Sequence, residues 1–271
     1  MFTRCSPRGS KFKTRGGGVM ADRDKIVSFA DSYLDSKNIK DASLNGLQAE
    51  GGREVKKIAF GVSASLECIK RAAACGADML IVHHGLLWKG QTQPVAGPLK
   101  RKLETLFDAG LSLCAWHLPL DKHPLVGNNA RLLALLGAKK LKPFGAYDGE
   151  TIGFSGTLPK PADIGDIAAA LAIKLDAEPL CFRFGAEKIR TVGVVSGGAA
   201  RMFEQAPAAG LDLYLTGEAG EFVQEYARET RSNFIAAGHY NTEKPGVQAL
   251  AAVLEKKFGV KTEFIDIPNP A

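Results

Sequence analysis

The stretch Gly76-Ala-Asp-Met-Leu-Ile-Val-His-His84-Gly places two adjacent histidines directly after a short apolar run. The run from Met79 to Val82 is too short for the core of a helix, so we predict a buried strand. Side chains at the ends of such strands usually carry the chemistry of open α/β folds. Because neighbouring strand residues point to opposite faces, we expect His83 and His84 to lie at a turn, where each imidazole can serve a different centre. Taken alone, the pair would more simply be one solvated histidine and one hydrogen-bonded in the core.

Two other segments repeat a pattern of apolar run, histidine, three residues and carboxylate. They are His117-Leu-Pro-Leu-Asp121 and His239-Tyr-Asn-Thr-Glu243. We predict that a helix follows each segment, beginning at Asn128 in one case and at Val247 in the other. Each histidine and its carboxylate are therefore expected in a strand-to-helix loop.

The order of these motifs indicates an internal duplication of the chain. Lys57-Ile-Ala-Phe-Gly-Val-Ser63 corresponds to Arg190-Thr-Val-Gly-Val-Val-Ser196, and residues 75–85 correspond to 209–219. Two copies of one β-α-β-α-β-α unit would face each other with their loop ends together. The side chains expected to converge there are His83, His84, His117, Asp121, Glu218, His239 and Glu243. Of the five histidines in the chain, only His123 lies outside this set, an enrichment that packing does not explain.

The predicted elements give an α/β fold with two similar lobes and a site in the cleft between them. We divide the chain into a basic tail (1–19), a first lobe (20–138), a connecting or inserted segment (139–189) and a second lobe (190–271). The tail is rich in Gly, Ser and basic residues without apolar periodicity, so we expect it to be disordered. A true start at Met20 explains the tail at least as well as an organelle-targeting role.

The composition favours a globular cytoplasmic protein and disfavours membrane or nucleic-acid partners. The hydrophobic fraction is 45% and the charged fraction 24%, and no run approaches 18 apolar residues. The net charge is +6, but the acid-free tail carries +5, which leaves +1 for the remainder. The five cysteines are scattered and include no C-x-x-C pair, a pattern typical of reduced thiols in a cytoplasm.

The candidate side chains point to metal chemistry. Imidazole and carboxylate groups together favour zinc, iron, manganese, cobalt or nickel over calcium. Five or more such groups exceed the four ligands of a structural zinc site, and one bridging carboxylate can serve two ions. We therefore predict two divalent cations that would turn a shared water into hydroxide at neutral pH. His117, in the same segment as Asp121, is a candidate to orient a ligand or to act as a general acid or base.

The motifs in combination resemble the GTP cyclohydrolase I type 2-like family, also called Nif-three-like. The matching segments are Asn45-Gly-Leu-Gln48, His83-His84, His117-Leu-Pro-Leu-Asp121, Gly217-Glu218 and Gly238-His239-x-x-x-Glu243, within a resemblance from about Ile26 to Ile265. The resemblance implies one ligand set for two divalent cations, with Glu243 bridging: His83, His84, Asp121, His239 and Glu243. It places His117 beside the metals. It also implies two α/β halves with the site in their cleft, ring-shaped hexamers whose sites face an inner cavity, and opening of the guanine ring of GTP.

Three functions remain open at this point. We favour a dinuclear metal hydrolase that acts on a nucleotide or a related small polar substrate. The first alternative is a metal-binding regulatory or metal-delivery protein without turnover. The second is a structural or partner-binding module, which would hold no stoichiometric metal.

Overall fold

The protein is built around two mixed β-sheets, each with helices on both faces. The structure is a computed structural model and describes residues 19–91 and 94–270. The expected disorder of the basic tail falls outside these residues, except at Val19. In chain order the strands are β1 (Ala21–Asp22), β2 (Gly46–Ala49), β3 (Glu54–Val55), β4 (Lys57–Ser63), β5 (Met79–His84), β6 (Ser112–Ala115), β7 (Lys139–Tyr147), β8 (Glu150–Ala162), β9 (Leu180–Arg183), β10 (Ile189–Val194), β11 (Leu213–Thr216), β12 (Asn233–Ala236) and β13 (Lys261–Phe264). The α-helices are α1 (Arg23–Tyr33), α2 (Leu66–Ala74), α3 (Gly97–Asp108), α4 (Leu118–Lys122), α5 (Asn128–Leu135), α6 (Ile164–Leu175), α7 (Gln205–Ala208), α8 (Val223–Glu229) and α9 (His239–Phe258).

The first sheet has the strand order β13-β4-β5-β6-β2. Strands β13, β4, β5 and β6 are parallel, and β2 pairs antiparallel with β6 at the edge. The predicted strand at Met79–Val82 is confirmed and is buried on both faces, as expected for a parallel strand covered by helices. Helices α1 and α9 pack on one face of this sheet and α2 and α3 on the other.

The second sheet has the strand order β7-β8-β10-β11-β12-β9. Strands β10, β11 and β12 are parallel and consecutive, like β4, β5 and β6 of the first sheet. Helices α5 and α6 cover one face and α7 and α8 the other. The α/β fold class is confirmed, and the matching triplets of parallel strands agree with the predicted duplication.

Sheet membership does not follow the predicted lobe boundaries. Strands β7, β8 and β9, inside the predicted connecting segment 139–189, complete the second sheet. Strand β13, inside the predicted second lobe 190–271, pairs with β4 of the first sheet. Helix α9 packs in the core of the first sheet through Val247, Leu250 and Leu254. The last helix therefore crosses from one half of the molecule to the other.

The prediction that both histidine–carboxylate pairs lie in loops is wrong. Asp121 lies in the short helix α4, and both His239 and Glu243 lie in the first turns of α9. The sequence Pro245-Gly246 suggested a helix start, because proline interrupts helix hydrogen bonding. In the structure Pro245 lies inside α9. Gly246 is required there, since a Cβ would lie 2.3 Å from Asn128 Oδ1.

Among the described residues, none of the helices combines the length and the apolar content that crossing a lipid bilayer requires.

Candidate metal centre

The carboxyl ends of the parallel strands in both sheets meet at one place. His83 and His84 end β5, His117 follows β6, and His239 follows β12. Since parallel strands present their carboxyl ends at the same edge, each sheet delivers its polar residues to one side. Helix α9 joins the two sides, because it carries His239 and Glu243 at its start and packs on the first sheet further along.

His83 is fully buried and its ring orientation is fixed by the backbone. Its Nδ1 lies 3.0 Å from the carbonyl oxygen of Trp116, and because a carbonyl only accepts hydrogen bonds, we assign the proton to Nδ1. Its Nε2 faces Asp121 Oδ2 at 3.5 Å and Glu243 Oε1 at 3.4 Å. Among the described residues, neither His83 Nε2 nor Glu243 Oε2 has a hydrogen-bond partner, although both atoms are buried. Such unpaired buried polar atoms are costly unless another group binds them.

His84 and His239 both direct Nε2 at the same carboxylate. His84 Nε2 lies 3.3 Å from Glu243 Oε2, and His239 Nε2 lies 3.2 Å from Glu243 Oε1. The other ring nitrogen of each histidine is also hydrogen-bonded. Nδ1 of His84 lies 2.9 Å from Ser63 Oγ, and Nδ1 of His239 lies 2.5 Å from Glu218 Oε1. Glu243 therefore contacts three histidines, two from the first half of the chain and one from its own helix.

Gly197 makes room for the Glu243 carboxylate. A Cβ at this position would lie 2.3 Å from Glu243 Oε1, and its φ of +68° is unfavourable for other residues. The tight turn of Ser196-Gly-Gly-Ala thus lets the carboxylate approach the backbone.

Asp121 is buried with one oxygen fully engaged. Its Oδ1 accepts hydrogen bonds from Asn128 Nδ2 at 2.8 Å and Ser196 Oγ at 3.0 Å. Its Oδ2 is the atom that faces His83 Nε2. Donors from α5 and from the loop after β10 thus orient the carboxylate so that a single oxygen points into the centre.

His117 lies beside the other histidines and is anchored by the loop before β2. Its Nδ1 lies 2.9 Å from Asp41 Oδ1, and its backbone N–H donates to Asn45 Oδ1 at 2.8 Å. Its ring centroid lies 5.0 Å from that of His83 and 5.6 Å from that of His84. Two trios of side chains have ligand atoms within 4.8 Å of one another: His83, His84 and His117, and His84, His239 and Glu243.

The structure therefore brings together all the side chains selected as candidate ligands, together with His117 and Glu218. His123 lies outside the centre, where its Nδ1 accepts the backbone N–H groups of Leu125 and Val126 and its ring packs on Tyr33. That histidine has a structural role in the chain's turn before α5.

Burial and neighbouring charges shift the pKa values of the centre, and the histidines differ, because burial lowers the pKa of His84 despite the Glu243 carboxylate. Burial disfavours the charged form of His83, but the Asp121 and Glu243 carboxylates outweigh it and raise its pKa to about 9. Burial acts on His239 in the same way, and Glu243 and Glu218 raise its pKa to about 9. Burial would raise the pKa of Glu243, yet the surrounding histidines hold it well below its ordinary value. Protons and metal cations would therefore compete for the same nitrogens.

The donor set fits divalent cations by its chemistry. Imidazole nitrogens and carboxylate oxygens suit first-row transition metals, and the atoms left without partners are the ones a cation would bind. The Nδ1 atoms of His83 and His239, which point away from the centre, form hydrogen bonds to the Trp116 carbonyl and the Glu218 carboxylate. Hydrogen bonds of this kind orient metal-binding histidines in general. The residues that could hold cations are His83, His84, Asp121, His239 and Glu243, with His117 alongside.

Several residues of the centre were missed in the sequence. Asp41, Ser63, Asn128 and Ser196 each hold a candidate ligand or His117 in place. A signal existed for the serines, because both end the repeated segments that were aligned with each other. For Asp41, which is 76 positions from His117 in the chain, no signal was present.

The centre opens to solvent through a small cleft. That cleft has a volume of about 190 Å³ and is lined in part by His84, His239 and Glu243. Glu218 and Asn269 also line a neighbouring cleft of about 710 Å³, beside Asn241. The second volume lies in the range of small-molecule sites.

Comparison with known proteins identifies relatives over nearly the whole described chain. The sequence model of the family described as Duf34/NIF3 (NGG1p interacting factor 3) matches residues 21–270. A protein of Pyrococcus horikoshii named "GTP cyclohydrolase 1 type 2 homolog" is 48% identical over 249 residues, which cover 92% of this chain and 99% of the relative.

Solved structures share the fold as well. The protein ybgI, described as of unknown function, superposes with a TM-score of 0.87 at 37% identity, covering 93% of this chain and 100% of the other. The protein TTHA1606 from Thermus thermophilus has a TM-score of 0.86 at 39% identity with the same coverage.

Proposed function

This chain belongs to the Duf34/NIF3 family, and from that membership and the geometry of its centre we propose a hydrolase that uses two divalent cations. Its substrate would be a nucleotide or a related small polar molecule. The observation that carries the proposal is a pair of buried atoms, His83 Nε2 and Glu243 Oε2, that have no hydrogen-bond partner in the described part of the chain and lie inside a cluster of imidazoles and carboxylates. A structural module gains nothing from such atoms, because burying them without a partner is unfavourable.

The arrangement of side chains supports a division of labour between the two cations. His83 and Asp121 would hold one cation, His84 and His239 the other, and Glu243 would be shared between them. When bound, such a pair supplies Lewis acidity that activates water and polarises the substrate. Zinc, iron, manganese, cobalt and nickel all suit these donors.

His117 would act as the general acid or base of the reaction. Its ring lies beside those of His83 and His84, and its Nδ1 is engaged with Asp41. The opposite nitrogen is therefore the one available to exchange a proton with water or with the substrate. Trp88, whose ring lies edge-on to His117 at 5.0 Å, limits the directions that this imidazole can take.

The substrate class rests on the relatives and on the size of the cleft. The name "GTP cyclohydrolase 1 type 2 homolog", carried by the Pyrococcus protein, favours a guanine nucleotide. The neighbouring cleft of about 710 Å³ has room for a molecule of that size. Assembly as a ring-shaped hexamer and a cytoplasmic location are further parts of the proposal, supported by the motif resemblance and by the scattered, unpaired cysteines among the described residues.

Elemental analysis of the purified full-length protein, followed by turnover assays, tests the proposal. We expect about two equivalents of a transition metal per chain and turnover that is lost on chelation and restored with that metal. The panel would comprise GTP, guanosine and p-nitrophenyl phosphate esters. His84→Ala should lose both metal and turnover, whereas His123→Ala, a histidine outside the centre, should keep both.

Three results would contradict the hydrolase. Metal-stripped protein of equal activity would exclude a catalytic role for the cations. Bound metal without turnover across the panel would favour a regulatory or metal-delivery protein. The absence of stoichiometric metal would favour a structural or partner-binding module.

A further inference from the structure

Asp41 is a buried carboxylate whose two oxygens are both occupied by hydrogen-bond donors. Its Oδ1 accepts from the backbone N–H of Ser43 at 3.0 Å and faces His117 Nδ1 at 2.9 Å. Its Oδ2 accepts from Asn45 Nδ2 and from the backbone N–H of Leu118, both at 2.9 Å. Three of the four neighbours are groups that can only donate, so the carboxylate is an acceptor throughout.

The proton between Asp41 and His117 therefore belongs to the imidazole. An ionised carboxylate has no proton to give, so His117 Nδ1 must carry one to make the contact. Backbone contacts fix the geometry from both sides, because Asn45 Oδ1 accepts the N–H of His117 and Asp41 accepts the N–H of the next residue, Leu118. A flip of the His117 ring would break the hydrogen bond between Nδ1 and Asp41.

The opposite nitrogen, Nε2, then faces the centre. A His117 ring nitrogen lies within 4.8 Å of ligand atoms of both His83 and His84. A neutral imidazole protonated at Nδ1 has a lone pair at Nε2, which accepts a proton but cannot donate one. In the neutral form of the ring, the contact with Asp41 thus leaves Nε2 as the nitrogen that can accept a proton.

Two other histidines of the centre also have Nδ1 fixed by an oxygen acceptor, but the acceptors differ. His83 uses the carbonyl of Trp116 and His239 uses the carboxylate of Glu218 to hold Nδ1. Asp41 differs from Glu218 in its environment, since its side chain is 1% exposed whereas that of Glu218 is 46% exposed. A buried carboxylate with four neighbours holds one geometry, and an exposed one is free to change partner.

We propose that Asp41 is a positioning residue that holds His117 with its proton on Nδ1, so that Nε2 serves as the proton acceptor of the reaction. The effect on catalysis rests on the hydrolase proposed above, whereas the proton position is a property of the folded chain. The proton taken from water would arrive at Nε2 and leave from Nε2 to the departing group or to solvent. Nδ1 would keep its own proton throughout, and Asp41 would stay ionised.

Nitrogen NMR of the full-length, zinc-loaded protein with ¹⁵N-labelled histidine tests the proton position directly. His117→Gln identifies the signal. In the wild type we expect His117 with a protonated Nδ1 and an unprotonated Nε2. A proton on Nε2 instead would overturn the proposal, and this readout needs no substrate.

Asp41→Asn tests the role of the carboxylate. An amide has one oxygen for a site where donors face both oxygens, so the His117 tautomer should become mixed. With GTP as the assayed compound, kcat should fall about 10- to 100-fold, with KM and metal content nearly unchanged. Asp41→Glu, which keeps the carboxylate, should restore part of kcat.

The matched control is Asp78→Asn. Asp78 also accepts two backbone N–H groups, from Lys56 and Lys57, but it lies before β5, at the opposite end of the strand from His83 and His84. The Asp78→Asn substitution should leave both the NMR signal of His117 and kcat unchanged. An Asp41→Asn protein with an unaltered His117 tautomer and kcat would overturn the proposal, and so would a parallel loss of metal. Should no compound of the panel be turned over, the hydrolase fails, while the NMR result still decides whether Asp41 holds the proton on His117 Nδ1.

Discussion

The segments His117–Asp121 and His239–Glu243 have the same spacing in sequence and opposite arrangements in space. In α9 the histidine and its own carboxylate face each other, with His239 Nε2 at 3.2 Å from Glu243 Oε1. In the other segment the pair separates, because His117 contacts Asp41 while Asp121 turns to His83. The spacing is shared, but the pairing is not.

The difference follows from where each helix begins. His239 is the first residue of α9, so His239 and Glu243 are i and i+4 on one helical face and become neighbours. His117 precedes the five-residue helix α4, with φ and ψ of −93° and −104°, outside helical geometry. Only the acid of that segment is carried by the helix. Identical spacing therefore produces a contacting histidine–carboxylate pair in one half and two side chains with different partners in the other.

Glu243→Gln should break the centre most completely. The change removes the charge from a group that contacts His83, His84 and His239 at once. We expect affinity for both cations to fall more than about 100-fold, beyond the usual effect of residues that only support a ligand. Metal titration by calorimetry measures this, with Glu255→Gln on the exposed part of the same helix as the control. Retention of both cations would refute the shared role of Glu243.

His239→Ala and His117→Ala should separate the two segments by function. His239→Ala should lose about one equivalent of metal, since its Nε2 faces Glu243. His117→Ala should keep both equivalents and lower kcat about 10²- to 10⁴-fold, as for removal of a general acid or base. Elemental analysis and assays with the same substrate compare the variants. Equal metal loss in both would mean that His117 is a ligand and that the contrast between the segments is wrong.

Metal affinity should rise with pH up to about 9. The folded pKa values of His83 and His239 are raised to about 9, above the ordinary value, so both imidazoles are protonated near neutrality until a cation displaces the proton. For each proton displaced, affinity should increase about tenfold per pH unit below pH 9. Competition with a chromophoric chelator at pH 6.5, 7.5 and 8.5 measures the slope. A flat profile would show that cation binding displaces no proton from these imidazoles.

The free energy of unfolding of the metal-free protein should fall as pH rises, opposite to the trend in metal affinity. A histidine with a raised folded pKa stabilises the fold fully below its unfolded pKa, and this contribution is lost as pH rises through the folded pKa. The window is therefore about 6.5 to 9 for His83 and His239. Urea unfolding should show falling stability of the metal-free chain across this window, while the metal-loaded chain gains stability from tighter binding.

Ser196→Ala should have the smallest effect of the set. It removes one of two donors to Asp121 Oδ1, and Asn128 Nδ2 remains. We expect a loss of about 1 kcal/mol in the free energy of unfolding and no more than about a tenfold loss of metal affinity. Ser63→Ala, which removes the corresponding hydroxyl behind His84, sharpens the comparison between the two halves. A loss of metal as large as that of Glu243→Gln would mean that these serines are ligands.

The sequence predicted most elements of the fold because the apolar periodicity is strong. The strand that begins at Met79 and the helix that begins at Asn128 were predicted with the starts that the structure shows. The edge strand Gly46–Ala49 was not predicted, since Asn45-Gly46 is typical of a turn. The start of α9 was placed eight residues late, because Pro245-Gly246 resembles a helix boundary.

The sequence also predicted the members of the centre but not their contacts. The concentration of histidines after apolar runs selected His83, His84, His117 and His239, and the structure brings them together. Which nitrogen faces inward was not predictable. That choice depends on the oxygens of Asp41, Ser63, Trp116 and Glu218, which reach the rings only after the sheets form.

By itself, the order of residues determined most of the strands and helices and the list of polar side chains at strand ends, because periodicity and turn chemistry act over a few neighbouring positions. The tertiary structure alone decided that β13 joins the first sheet, that Glu243 contacts three histidines, and that Asp41 stands behind His117. These contacts depend on packing between segments far apart in the chain, where burial of apolar side chains and hydrogen bonding of polar ones select one arrangement.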